Sequence, residues 1–379
     1  MFLMHRNKIA AKLVMSATTI VGVHIENEKE MPIGVDTRQN LVLNSLQRWL
    51  RSRSIPQERQ GISAVEKALG CSISEAALKA MCVSLTDCYW MREENSPLKW
   101  EDVNYHDNGF SEELFDVVLK NSEIKVSDFR LPDIFTDGAF EKTWVHSGGV
   151  PILLKRGMVE ESKKNVLSAN EVIVSMLAER LGFNNVKYVM ANITSTGEKL
   201  CACPSFITNS NEEFVSAFQI ENEKRVFGKD LYDLFVKWGF EREMKDMLYL
   251  DHLVRNVDRH EKNFGIICEA DTGDILRMAP IYDSGSCLDW KGFEGTYRFD
   301  AKPFFDDRYE QLKLLSKKDI YKRHQLTCET IEMLIKETYE KFQIPEIFYD
   351  RAVKCVETSC GELDKIAKEY MQARGDDGR

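Results

Sequence analysis

The chain has 379 residues, 43% of them hydrophobic and 30% charged, with only 9 Pro and 21 Gly. That composition excludes collagen-like, disordered and low-complexity proteins, and the length provides for two or three packed units without disulfides or metals as staples. With 51 Lys and Arg against 61 Asp and Glu the net charge is -10, which argues against nucleic-acid binding over the whole surface and leaves only a local basic cleft open.

In chain order, the apolar run Leu13 to Ile25 follows the basic stretch His5, Arg6, Lys8 and Lys12. It is too short to span a bilayer, and no small-residue cleavage site follows it. An N-terminal strand or hairpin is expected there, and no membrane attachment. From Asn40 to Arg53 the residues Leu43, Leu46, Trp49 and Leu50 have helical spacing, and Pro56 ends the segment. A second helical pattern covers Ser74 to Cys82. The stretch Ser84 to Tyr105 carries Tyr89, Trp90, Trp100 and Tyr105, and reads as a packed cap on the next domain. Phe140 to Val145 and Val150 to Lys155 read as strands joined at His146-Ser147-Gly148-Gly149, where Ser147 belongs to the turn.

Ser168 to Leu181 is an amphipathic helix that Gly182 is placed to terminate. Val186 to Ile193 and Lys199 to Ile207 form a hairpin around TSTGE, with Cys201 and Cys203 alternating along one strand. Helical patterns dominate afterwards, apart from a short strand pair near Asn263 to Ile281. Strands first and helices later predict two lobes of different character. The ten cysteines are scattered and include no CxxC pair, so reduced, buried thiols of a cytoplasmic protein are expected.

The chemistry concentrates in Leu250 to Ser286. A helix over Met244 to Val254 runs into Asp258-Arg259-His260-Glu261-Lys262-Asn263, and Tyr282-Asp283-Ser284-Gly285 follows the strand pair. Asp258, Asn263 and Asp283 form the acceptor set that phosphoryl transfer needs: a carboxylate to orient the attacking hydroxyl, and an Asn oxygen with a second carboxylate to hold Mg²⁺. The spacing of Asp258 to Asn263 equals that of Asp to Asn in the protein-kinase catalytic loop. His260 reads as a hydrogen-bonded residue that orders the loop. For Arg259 either a carboxylate or a phosphate would serve as partner.

Upstream, Thr136-Asp137-Gly138-Ala139-Phe140-Glu141-Lys142-Thr143 lies between two predicted strands. Its single glycine permits a tight turn that brings backbone N–H groups to phosphates. Lys155 ends the apolar strand VPILLK, and Glu171, sixteen residues on, opens the strong helix and is placed to hold it.

These segments resemble the HipA-like serine/threonine kinase family, related in fold to protein kinases and phosphatidylinositol 3/4-kinases. The resemblance covers roughly Leu131 to Phe305. It rests on GAFEKT (Gly138 to Thr143), LLK ending at Lys155, NEVIVSMLAERLG with Glu171, DRHEKNFGI (Asp258 to Ile266), APIYDSGS (Ala279 to Ser286) and KPF (Lys302 to Phe304). It implies an α+β, bilobal protein-kinase-like fold: a small, mostly antiparallel β N-lobe with one helix over 126–208, and a larger helical C-lobe over 209–379. An N-terminal, mostly helical cap over 1–125 precedes them. It further implies ATP- and Mg²⁺-dependent transfer of the γ-phosphoryl group to a Ser or Thr hydroxyl. Asp258 is then the catalytic base with Lys155, Glu171 and His260 beside it, and Asn263 and Asp283 are the metal ligands. Thr136, Asp137, Gly138, Ala139, Lys142 and Lys155 face the phosphates. Cys203, Ser205 and Phe206 mark by position the hinge that reads adenine through its backbone.

Family toxins carry a phosphorylated serine just before the phosphate-loop glycine, and here the nearest hydroxyl is Thr136. The chain shows no helix-turn-helix of its own, so DNA contact would come through a small DNA-binding, antitoxin-like partner, and the phosphate acceptor would be a protein. Two other readings use the same residues. One is an inositol-lipid or small-alcohol kinase, against which stands the lack of a basic amphipathic helix. The other is a non-catalytic nucleotide-binding module that acts with a DNA-binding partner.

Overall fold

In the computed structural model, which describes every residue except 57, 58, 60, 121, 137–139, 158–164, 290–310 and 377–379, the chain opens with three antiparallel strands. These are β1 (Phe2–His5), β2 (Lys8–Ser16) and β3 (Thr19–Ile25). Two-residue turns join them, with Arg6 and Ala17 at positive φ, the geometry that matches strand twist. The helices α1 (Val42–Arg53), α2 (Ile62–Leu69) and α3 (Ile73–Lys79) come next. The chain then returns as β4 (Tyr89–Arg92) beside β1, giving the order β3-β2-β1-β4. Three short helices close the region: α4 (Trp100–Val103), α5 (Tyr105–Asn108) and α6 (Glu113–Lys120).

The N-terminal region is thus helical around a four-stranded sheet, where the sequence pattern indicated only the first hairpin. β4 escaped notice because both its faces are covered, which removes the apolar–polar alternation of a half-buried strand. Tyr89 and Met91 pack with Leu3 and the α1–α3 core, whereas Trp90 packs on the other side with Met4, Trp100 and Tyr105. Trp144, from the strand that opens the next sheet, joins that second cluster, so the aromatic stretch is a packed cap as expected. The first core continues through Leu131, Ile134 and Phe135.

The second sheet contains β5 (Lys142–Ser147), β6 (Val150–Lys155), β7 (Val189–Ile193) and β8 (Glu198–Pro204), in the antiparallel order β5-β6-β8-β7. Gly148 and Gly149, at φ +59° and +82°, form the two-residue β5–β6 turn. Both angles lie in the left-handed region open to glycine. Behind the sheet runs α7 (Val166–Leu181), ended by Gly182 at φ +70°. A third sheet is made of β9 (Glu212–Ser216), β10 (Gly265–Glu269) and β11 (Ile275–Met278), in the order β11-β10-β9. Around it lie α8 (Ala217–Lys224), α9 (Lys229–Lys237), α10 (Glu241–Val254), α11 (Lys317–Arg323), α12 (Cys328–Phe342) and α13 (Glu346–Asp376). One core joins α7, α10, α12 and α13 through Ile173, Leu177, Leu250, Leu334 and Val356. All ten cysteines are free thiols, eight of them buried. No helix among the described residues is long and apolar enough to cross a membrane.

Among the described residues, buried charged side chains help fasten the N-terminal region to the rest at two places. At the end of β6, Arg156 donates to the Val118 and Leu119 carbonyls of α6 and pairs with Glu141 at 2.5 Å and Glu198 at 2.8 Å. At the far end of the region, His5 of β1 is buried between two carboxylates, with Nδ1 2.7 Å from Glu30 Oε2 and Nε2 on Glu213 of β9. Its ring stacks on Tyr89 with centroids 4.5 Å apart. Burial disfavours the imidazolium, but Glu213 and Glu30 more than compensate, so His5 titrates above its ordinary 6.5. A raised folded pKa gives stability that is complete below about pH 6.5 and fades as pH rises through the folded value. The stability gap between wild type and the double variant His5→Gln/Glu213→Gln, from urea midpoints, is therefore expected to be largest near pH 6 and to shrink toward pH 9. A constant gap would contradict this role.

Candidate active site

The β6–α7 unit supplies the first half of the site. Lys155 ends β6, opposite Lys142 of β5 and Cys201 of β8. Its buried ammonium binds Glu171 of α7 and Asp283 Oδ1, the latter at 2.5 Å, and sits 5.5 Å from the centre of the Tyr188 ring. Burial opposes the charge on Lys155, yet the Asp283 and Glu171 carboxylates raise its pKa well above the ordinary 10.5. The two acids are not equivalent. Glu171 is enclosed, and burial together with the neighbouring Asp283 charge raises its pKa even against the pull of Lys155. Its second oxygen accepts the Ser284 N–H at 2.9 Å. Asp283 keeps 36% of its side chain exposed. Burial again works against its charge, but Lys155, Lys142 and His260 hold its carboxyl well below the usual range. Asp283 is therefore the more accessible acid of the pair, and the one whose neighbours favour its charge.

The loop after α10 supplies the second half. Arg255 leaves the helix at φ +52°, and the chain turns through Asp258 to Asn263. Within it, Arg259 is fully buried and all five of its N–H donors are used. Nε and Nη2 bind the two oxygens of Asp251 on α10 at 3.0 and 3.2 Å. Nη1 binds the carbonyls of Asn263 at 2.8 Å and Tyr282 at 2.6 Å, and Nη2 also reaches the Ser284 hydroxyl at 2.7 Å. A carboxylate, not a phosphate, is thus the partner of Arg259. The guanidinium ties Asn263 to the Tyr282–Ser284 segment. Val257 N–H to Ser286 O and Tyr282 hydroxyl to Lys262 O complete the seam. Gly285 is required where this segment crosses α7, because a Cβ there would lie 2.8 Å from the Leu167 carbonyl.

Asn263 donates its side-chain N–H to the Asp258 carbonyl at 2.8 Å, which reserves Oδ1 as an acceptor. His260 Nδ1 accepts the Lys262 N–H at 3.2 Å, so its proton sits on Nε2, 4.0 Å from Asp258 Oδ1. The ring is thus hydrogen-bonded within the loop. Asp258 is half exposed at the surface of the same turn. Asn263 Oδ1 and the Asp283 carboxylate are hard oxygen donors on segments that Arg259 joins, and such donors suit Mg²⁺, which keeps waters or phosphate oxygens as its other ligands. No group of three His, Cys, Asp or Glu suited to a metal occurs among the described residues.

The other expected positions are less uniform. Asp137, Gly138 and Ala139 lie outside the described residues, as does Lys302 to Phe304. Thr136 is engaged: its hydroxyl donates to the Pro132 carbonyl at 3.0 Å and accepts the Trp144 indole N–H at 2.8 Å. Lys142 is buried at the start of β5. Cys203 is buried in β8, Ser205 closes a turn onto Ile207, and Phe206 packs against Tyr282 with centroids 5.1 Å apart. Their side chains are therefore structural, and only backbone groups are left for recognition. Sequence reasoning missed Asp251 and Tyr188, whose signal was present only as a buried acid on the last turn of α10 and an aromatic residue ahead of β7.

The Arg259→Leu variant leaves Asp251 buried without its cation. It is expected to lose about 3–5 kcal/mol in urea unfolding. A loss below about 1 kcal/mol, the scale of exposed ion pairs, would contradict the five-bond arrangement.

No family model and no curated protein matches the sequence. Solved structures do. The HipA toxin of Shewanella oneidensis MR-1, solved with HipB and operator DNA, is 14% identical with a TM-score of 0.53, over 97% of this chain and 99% of HipA. The proinflammatory kinase CtkA of Helicobacter pylori is 14% identical with a TM-score of 0.50, over 62% of this chain and 95% of CtkA. At this identity the likeness is one of fold. The chain has a HipA-like kinase fold, and the match to HipA extends across nearly its whole length, beyond the Leu131 to Phe305 segment that carried the resemblance in sequence.

Proposed function

We propose that this chain is an ATP- and Mg²⁺-dependent protein kinase that transfers a phosphoryl group to a Ser or Thr hydroxyl. The observation that carries the reading is the convergence of Lys155, Glu171 and Asp283, from three distant parts of the sequence, on one buried ion cluster beside the Asp258–Asn263 turn. Phosphoryl transfer is mostly positioning and charge neutralisation, and this cluster offers both. Asp258, half exposed, orients the acceptor hydroxyl and takes its proton. Lys155, held by Glu171, presents its ammonium to the nucleotide phosphates, with Lys142 beside it on the neighbouring strand. Asp283 and Asn263 Oδ1 would hold Mg²⁺, which would supply charge neutralisation at the phosphates. The backbone from Cys203 to Phe206 borders the adenine site. The fold neighbour HipA was solved with HipB and DNA, and this supports a small DNA-binding protein as partner, with DNA contact made by the partner.

Thr136 is a candidate for self-phosphorylation only in a conformation that releases its bonds to Trp144 and Pro132. Intact mass spectrometry after incubation with Mg-ATP tests the reading. Wild type is expected to gain phosphate, or to label a protein in a cell lysate, whereas Asp258→Ala and Asp283→Ala lose at least about 100-fold in rate. Asp258→Ala is expected to keep its stability within about 0.5 kcal/mol, since the side chain is partly exposed. Undiminished phosphorylation in both variants would end the assignment. Labelling of inositol lipid and of no protein would move it to a lipid kinase.

A further inference from the structure

Two of the free thiols meet across a helix interface, away from the Lys155–Asp283 cluster. Cys328 is the first residue of α12, and Cys360 lies midway along α13, in the core against which Cys328 packs. Their side chains are hydrogen-bond neighbours. Cys360 is buried, whereas Cys328 is half-buried and gives the pair its access to solvent. A second pair of neighbours, Cys287 and Cys355, differs in that respect, since both its thiols are buried. Oxidants select thiols they can reach.

The Cys328 S–H donates to Glu332 Oε1, one turn further along α12, at 3.1 Å. Burial and this bond push the Cys328 thiol above its ordinary value. Burial also pushes Cys360 up to about 11, with the hydrogen bond to Cys328 opposing it. The resting pair is therefore a protonated dithiol. No standing thiolate is needed for it to react, because Glu332 is placed to take the Cys328 proton as the sulfur bonds to an oxidant.

We infer that Cys328 and Cys360 form a site of reversible oxidation, at which hydrogen peroxide converts the dithiol into a disulfide between α12 and α13. Cys328 Sγ attacks one peroxide oxygen and the O–O bond breaks. The departing hydroxide takes the thiol proton by way of Glu332 and leaves as water, so Cys328 becomes a sulfenic acid. Cys360 Sγ then attacks that sulfur, an S–S bond replaces the S–O bond, and a second water carries off the Cys360 proton. Two thiols lose two electrons, and one peroxide gains them. The link pins the first turn of α12. Further along that helix the Tyr339 hydroxyl donates to Asn170 of α7 at 2.7 Å, and Asn170 donates to the Gly285 and Cys287 carbonyls. The helix so fixed is one that braces the segment after Asp283.

The test uses the full chain, reduced, freed of reductant and exposed to hydrogen peroxide under native conditions. Remaining thiols are blocked with iodoacetamide in denaturant, and the peptides are mapped by mass spectrometry. Wild type is expected to yield a linked Cys328–Cys360 peptide pair lighter by two hydrogens, and to regain both thiols with dithiothreitol. Cys287 and Cys355 are expected to stay free and be alkylated. In Cys360→Ser the sulfenic acid at Cys328 has no second thiol to meet, and dimedone is expected to trap it. Full alkylation of Cys328 and Cys360 in peroxide-treated wild type would overturn the inference. So would linkage of Cys287 or Cys355 at equal yield, which marks oxidation of an opened chain. Wild type carries the test alone if the serine variant does not fold.

Discussion

The site depends on one fully desolvated cation. Removing a guanidinium from water is expensive, and a single carboxylate at good distance barely offsets that. Arg259 manages it by satisfying all five donors inside the protein, two on Asp251 and three on the backbone carbonyls and hydroxyl of segments that would otherwise have no reason to meet. The result is geometric more than energetic. Asp251 fixes the guanidinium to the last turn of α10, and the guanidinium then sets where Asn263 and Asp283 stand relative to each other. Asn256 adds a second strut, donating to Asp251 at 2.9 Å and accepting the Asp258 N–H at 3.0 Å. The Asp258–Asn263 turn is thus built on a helix end that Asp251, Asn256 and Arg259 brace together.

Against this half stands a shared charge. Lys155 is shared between two acids, and their surroundings decide which one can let go. Glu171 is sealed in, with one oxygen on the ammonium and the other on the Ser284 N–H. Asp283 is reached by solvent and is drawn to ionise by several cations at once. A newly arrived cation would compete with Lys155 for Asp283 and not for Glu171. The ammonium, still held by Glu171, would then have a free direction in which to accept an anion. One lysine with two unequal acids can therefore separate a cation site from an anion site without moving a backbone element.

How much of this arrangement the sequence displayed depends on how local each constraint is. The β5–β6 hairpin was legible because Gly148-Gly149 allows only a few turns, and α7 because Gly182 ends it in the left-handed region. The Asp258–Asn263 turn was legible as a turn because Asp and Asn at that spacing follow directly on a helix end, and the Asn263 side chain closes it on the Asp258 carbonyl. Nothing local announced β4, whose residues are apolar on both faces, or the clamp of His5 by Glu30 and Glu213, which spans 208 positions. The partner of Arg259 could not be chosen from sequence either, since Asp251 lies inside a helix where an acid is ordinarily a solvated face. The extent of the fold was underestimated for the same reason: the N-terminal 125 residues carry no motif, only packing.

That packing gives the N-terminal region a second meaning. A cap that merely covered the β5–β6 sheet would bury apolar surface, as Trp90 and Trp100 do against Trp144. Arg156 and Arg59 go further, because each crosses the boundary to hold backbone: Arg156 reaches from β6 to the carbonyls ending α6, and Arg59 reaches back to the carbonyl of Thr136. Buried charged bonds of this kind add little net stability, but they select one register among several of similar apolar content. Placed on either side of the β5–β6 hairpin, they tie its position to the N-terminal region.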